Sequence, residues 1–254
     1  MENYVFDGSL DGLLTLIFDF YNRKPGQIKV WSERDFMPSM FDTTYEVVTD
    51  EEKANRVRKK MKSKLSKQGW RNLYSTYLSE QAEAYQHIFE FARYVIDSPV
   101  EVETNFGNEH VLYLAQMERK VNREKHHFEA FIRFEALPDG TFYSAVEPKY
   151  HVLPLLLNHF KNRYADQDWI IYDLVRKTGL LYSKVEEKVM PIHLEFAPKQ
   201  NHSIVKSFEP TEEQYQHLWK GYFKSANIPA RKNTKLHVQL LPKRFWKYLT
   251  EKEI

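Results

Sequence analysis

Leu10, Leu13, Leu14 and Ile17 recur at the spacing of one helix face, with Ser9 ahead as a cap and Pro25 behind as a stop. An amphipathic helix is therefore predicted directly after a short first strand in "NYVF". "IKVW" and "YEVV" read as two further short strands around an irregular segment that holds Pro38. From Trp70 onward the period returns to that of helices. Trp70, Leu73, Tyr74, Tyr77 and Leu78, then Tyr85, Ile88, Phe89, Ala92 and Ile96, form core-facing stripes. Val111, Leu114, Met117 and Val121 predict another helix from Asn108 to about Arg123.

The middle of the chain changes register. "HFEAFIRFE", "TFYSAVEP", "DWIIYDLVR" and "GLLYSKV" alternate or run apolar, and "LPDG" and "KTG" have the composition of hairpin turns. "VMPIHLEF" supplies a further strand. Between them, "LPLLLNHFKNRYADQ" gathers Leu153, Leu156, Leu157 and Phe160 on one side of a helix. A polar link over 198–207 leads to a capping box in which Thr211 and Gln214 serve each other's backbone amides. Behind it Tyr215, Leu218, Trp219, Tyr222 and Phe223 make a stripe expected to be buried, and Pro242 opens a short final helix. The expected fold is α+β: an antiparallel sheet of about five strands from the middle of the chain, packed with several amphipathic helices. With no internal repeat or low-complexity linker, residues 1–254 are expected to form a single domain with a helical basic region at 208–254.

Composition narrows the chemistry. Zero cysteines exclude thiolate nucleophiles, disulfides and cysteine-held zinc or iron–sulfur centres. Only 8 glycines are present, and neither G-x-G-x-x-G nor G-x-x-x-x-G-K-[ST] occurs, so nucleotide-binding loops of those kinds have no support. No H-E-x-x-H or comparable spacing implies a metal, and neither a metal nor another cofactor is expected. No apolar run is long enough for a membrane span, and "MENYVFDGSLDG" lacks the pattern of a signal peptide, so a cytoplasmic protein without membrane contact is expected.

A net charge of +2 is too small to draw the whole molecule to a polyanion, so any electrostatic function depends on where charges cluster. There are two clusters. In the first, Lys53, Arg56, Arg58, Lys59, Lys60, Lys62, Lys64 and Lys67 follow Asp50, Glu51 and Glu52, which suit a helix N-terminus. In the second, Arg231, Lys232, Lys235, Lys243, Arg244 and Lys247 interleave with Phe245, Trp246 and Tyr248. Either cluster could be a solvated or packed face, or a seat for a phosphate backbone. Lys59 and Lys60, with the six basic residues of the tail, are the candidate nucleic-acid contacts.

The stretch "REKHHFEAFIRFE" is the candidate catalytic region. Read as a strand, it turns Phe128, Ala130, Ile132 and Phe134 to the core and His127, Glu129, Phe131 and Arg133 to the other face. Its outward side could hold an acid or base beside an anion clamp, or only an ion pair between Glu129 and Arg133. His159 and Arg163 share a helix face, and Asp173 and Arg176 follow, so His126, Arg133, His159, Arg163 and Asp173 form the candidate catalytic set.

Four long landmarks, "FDGSLDGLLTLIFDFY", "KVNREKHHFEAFIRF", "HVLPLLLNHFKNRYADQDWIIYDLVR" and "LWKGYFKSANIPARKNTKLHVQLLPKRFWKYLTE", stand in order along nearly the whole chain. The sequence resembles an uncharacterised bacterial family of DNA-metabolism proteins. Members are encoded beside a radical-SAM protein and are sometimes fused to a uracil-DNA-glycosylase-like domain. Glu124, His126, Phe131, Arg133, His159, Phe160, Arg163 and Asp173 match the family's pattern, whereas His127 stands where it usually has an arginine. The resemblance implies a role in DNA modification or repair with DNA and a radical-SAM protein as partners, and it assigns no catalytic residue. Three expectations remain open: a DNA-binding accessory protein, an enzyme acting on nucleic acid or a nucleotide, and a structural partner of the radical-SAM protein that does not touch DNA.

Overall fold

The structure is a computed structural model that describes residues 2–39, 43–193, 212–226 and 234–249. The chain divides into two compact units, Met1–Asn122 and Arg123–Ile254.

In the first unit, β1 (Glu2–Phe6) feeds α1 (Leu10–Arg23), which returns the chain to β2 (Ile28–Ser32). β3 (Thr43–Glu46), α2 (Glu51–Lys64), α3 (Lys67–Tyr77) and α4 (Ala82–Asp97) follow. The sheet has the order β2-β1-β3 and is parallel throughout, with Tyr4 level with Val30 on one side and Tyr45 on the other. The expected cap is present: Ser9 Oγ accepts from the Gly12 amide at 2.8 Å. Leu13, Leu14, Leu16 and Ile17 of α1 join Ile88, Phe89, Ala92 and Val95 of α4 in one core. α2 turns Ala54, Val57 and Met61 inward, every third or fourth residue, which leaves its long cations outside. Part of the free edge of β2 is covered by a side chain: Gln86 Oε1 accepts from the Val30 amide at 2.8 Å.

α5 (Glu109–Phe131) begins in the first unit and ends in the second, which continues with β4 (Glu135–Ala136), β5 (Phe142–Val146), α6 (Leu153–Arg163), β6 (Trp169–Asp173), β7 (Thr178–Ser183) and β8 (Lys188–Ile192). α7 (Glu212–Ala226), α8 (Thr234–Leu240) and a 3-10 helix (Lys243–Tyr248) complete it. A sheet of five strands is present in the middle of the chain, in the order β4-β5-β6-β7-β8, but it is mixed and not antiparallel. β5 and β6 pair in parallel because α6 lies between them: a crossover helix carries the chain back to the same end of the sheet, as no hairpin can.

The strand expected over 127–135 is a second correction, since α5 runs on to Phe131. Phe128 and Ile132 fit a strand's alternation, but they also continue the helical series Leu114, Met117 and Val121, and all five are buried. A helix already nucleated upstream extends at little cost, so the helical reading of the shared positions wins. The stripe expected to be buried on α7 is a third, because Leu218, Trp219 and Tyr222 are exposed. Thr211, and with it the expected capping box, lies outside the described residues, as does the link over 198–207.

Candidate functional site

α2 sorts its cations by partner. Lys53 Nζ lies 3.0 Å from the buried Asp19 carboxylate, whose hydrogen bond holds the ammonium above the usual lysine range. Arg58 pairs with Asp11. Lys64 Nζ donates to the carbonyls of Val95, Ile96 and Ser98 at 2.6–3.0 Å, which ties down the last turn of α4. Among the described residues no carboxylate lies within ion-pair distance of Arg56, Lys59 or Lys60. These three stand at i, i+3 and i+4 and are exposed, so they form one ridge on the solvent side of α2. The Arg56 guanidinium lies 4.9 Å from the centroid of the Phe18 ring, and Lys62 lies 5.0 Å from that of Trp70.

The second unit uses its expected catalytic residues differently. Asp173 is fully buried at the end of β6. Its Oδ1 accepts from the amides of Val175 and Arg176 at 2.9 and 3.1 Å, and its Oδ2 from Arg176 Nη1 at 3.0 Å. The same guanidinium donates to the carbonyls of Pro148 and Lys149, so the pair fastens the β6–β7 turn to the segment after β5. Arg133 Nη1 donates to the carbonyls of Ala130 and Ile132 at 3.1 Å and thereby caps the end of α5. Arg163 Nε donates to the Tyr164 hydroxyl at 3.3 Å. His126 and His159 do meet, around Glu129: their Nδ1 atoms lie 3.9 and 3.8 Å from its carboxylate, which also holds Lys125 at 2.9 Å. Asp173, Arg133 and Arg163 are thus engaged elsewhere. Among the described residues no group of three or more His, Asp or Glu could hold a metal ion.

Two cations of the basic tail are tied down. Arg244 makes a two-point pair with the buried Glu124, which also accepts from the Lys149 amide at 2.9 Å. Lys247 pairs with Glu147; burial is the strongest single influence on its ammonium and works against it, but the hydrogen bonds and charges of Glu147 and Tyr248 together keep the pKa above the usual lysine range. Phe245, Tyr248 and Leu249 are buried beneath these pairs, and Trp246 Nε1 donates to the Leu241 carbonyl. Lys235 and Lys243 are exposed, while Arg231 and Lys232 lie outside the described residues.

The domain of unknown function DUF4130 matches residues 82–251, well over half of the chain. The chain belongs to that family. Searches among curated proteins and among solved structures find no match. The DUF4130 region takes in α4, α5 and the described elements of the second unit, and begins after α1 and α2.

Within the DUF4130 region, one pair escaped sequence reasoning. His87 of α4 and His110 of α5 face each other with their Nδ1 atoms 3.0 Å apart, and His87 stacks on the Tyr113 ring at 3.8 Å between centroids. Burial, with His110 next, pushes the His87 pKa below the usual imidazole value. The signal in the sequence was slight: one histidine on each helix, next to the core-facing Ile88 and Val111.

Proposed function

We propose that the chain is a DNA-binding accessory protein of DNA modification or repair, working beside a radical-SAM enzyme, and that it meets DNA through the outer face of α2. The observation that carries this reading is the division of labour along that helix. Lys53, Arg58 and Lys64 are spent on carboxylates and carbonyls, whereas Arg56, Lys59 and Lys60 remain together and unneutralised. Unpaired cations at one-turn spacing are what a phosphate backbone requires, since each phosphate neutralised releases condensed counterions. The role in modification or repair and the radical-SAM partner come from the family resemblance of the sequence. An enzyme built on His126, Arg133, His159, Arg163 and Asp173 draws less support, because the last of these is locked in a closed pair and Arg133 serves a helix end.

The test is DNA affinity, read by fluorescence anisotropy, as salt is raised. Wild-type affinity should fall steeply, and K59E should weaken binding to all sequences alike while lowering the salt slope by about one. Affinity indifferent to salt would dispose of the reading.

A second reading, docking onto the radical-SAM protein without DNA contact, is favoured by α7. Leu218 and Tyr222 stand four apart on it, 67% and 62% exposed, as an apolar strip of the kind that protein partners cover. Co-purification of the two proteins that survives nuclease treatment and is lost in L218D would support it.

A further inference from the structure

Beside the α2 ridge, within the first unit, α1 and α2 enclose a shallow cleft of about 320 Å³. Phe18 and Tyr21, three apart on α1, line it, and Ile96 contributes to its apolar lining. The Tyr21 ring is held in place by its hydroxyl, which donates to Asp97 at 2.6 Å. Arg56 and Lys60, one turn apart on α2, line the cleft beside the rings. At the end of α1, Asn22 is exposed and lines the cleft with its amide uncommitted.

This set of groups selects a ligand class. The Tyr21 ring, and the pair in which the Arg56 guanidinium lies 4.9 Å from the centroid of the Phe18 ring, offer flat faces for stacking, and the apolar lining favours an uncharged planar group. Asn22 offers a donor and an acceptor side by side, the pair that matches the edge of a nucleobase. Arg56 and Lys60 offer positive charge that no carboxylate of the described residues neutralises, although Lys53 and Arg58 on the same helix are both paired. The volume lies at the lower end of ligand pockets, which run from roughly 300 to 1,000 Å³, so it suits one base and not a dinucleotide cofactor. An aliphatic chain would leave the Asn22 amide and both cations without a match.

We propose that the cleft receives one unstacked base of a single-stranded nucleic acid whose phosphates lie on Arg56 and Lys60. The inference rests on the DNA-binding reading above and refines it: the interface prefers single strands, or an unpaired nucleotide, to intact duplex. In a duplex the base is stacked and must be extruded before it can enter, at a cost of about a few kcal/mol.

The experiment compares a short single-stranded oligonucleotide with a duplex of the same length, by anisotropy at fixed salt, for wild type, F18L, N22A and K59E. F18L keeps an apolar side chain at a partly buried position, and Asn22 is exposed, so N22A remains informative even if F18L impairs folding. Wild type should prefer the single strand. F18L should lose roughly ten-fold in single-strand affinity, the scale of one base–aromatic stack. N22A should weaken single-strand binding in the same sense without an appreciable change in duplex affinity, whereas F18L, which also removes the ring beside Arg56, is read by its loss of single-strand preference. K59E, outside the cleft, should weaken both forms. If wild type shows no single-strand preference, or if N22A and a folded F18L leave that preference intact, the cleft proposal falls while the ridge reading stands. If wild type binds neither form, both fall.

Discussion

At the scale of single residues, partners decide what a charge is for, and partners are what a sequence conceals. Arg244 looked like a phosphate contact, yet it is committed to Glu124, which lies 120 positions away in the chain. R244M should therefore act on stability: the loss of charge-assisted hydrogen bonds to a buried carboxylate costs about 1–3 kcal/mol, seen as a lower urea midpoint, with the DNA salt slope unchanged. A slope that falls with stability intact would return Arg244 to the binding surface. Two histidines carry a pH dependence. His87 and His127 both titrate below the usual value, burial being the leading cause in each. The fold favours their neutral forms, so the unfolded chain takes up a proton near pH 6.5 while the folded chain still resists. The stability they contribute is thus fully present above that pH and is lost as pH falls through their lower folded values. Urea midpoints measured above and below pH 6.5 should show this decline, and H87Q should flatten it. An equal decline in H87Q would mean that the His87–His110 contact carries none of it.

Among the elements, periodicity was legible wherever only one period fitted. α1, with its Ser9 cap, α3 and α4 were readable from the spacing of their apolar residues, because a buried helix face imposes its period on the sequence. The end of α5 was not, because Phe128 and Ile132 satisfy both a strand and a helix, and the deciding fact is the helix already formed before them. The parallel pairing of β5 with β6 was available in principle, since the helix between the two strands was visible and forces a crossover. Close approach across the sheet is harder to see. Gly179 in β7 faces Tyr172 in β6, and a Cβ at Gly179 would stand 2.7 Å from the tyrosine ring and 2.9 Å from the Ile171 carbonyl. The backbone atom cannot swing aside as a flexible side chain would. G179A should thus cost about 1–3 kcal/mol, the usual toll of overpacking, measured by urea denaturation. An unchanged midpoint would show that the β6–β7 pair yields more easily than this register implies.

For the whole molecule, a net charge of +2 provides little attraction for a polyanion, so any affinity for DNA must come from uneven distribution. Both basic clusters were visible in the sequence, but only the fold distinguishes them. The described part of the tail spends Arg244 and Lys247 on Glu124 and Glu147, whereas α2 keeps Arg56, Lys59 and Lys60 unneutralised. Candidate catalytic residues divide in the same way: His126 and His159 come together at Glu129, while Asp173 and Arg133 hold the backbone in place. The most direct measurement is the salt dependence of DNA affinity for wild type against the double variant K59E/K60E. A steep wild-type slope that the double variant reduces by about two, with binding weakened and the fold intact, is the result expected. Equal slopes and equal affinities for the two proteins would contradict the assignment of α2 as the DNA-binding face.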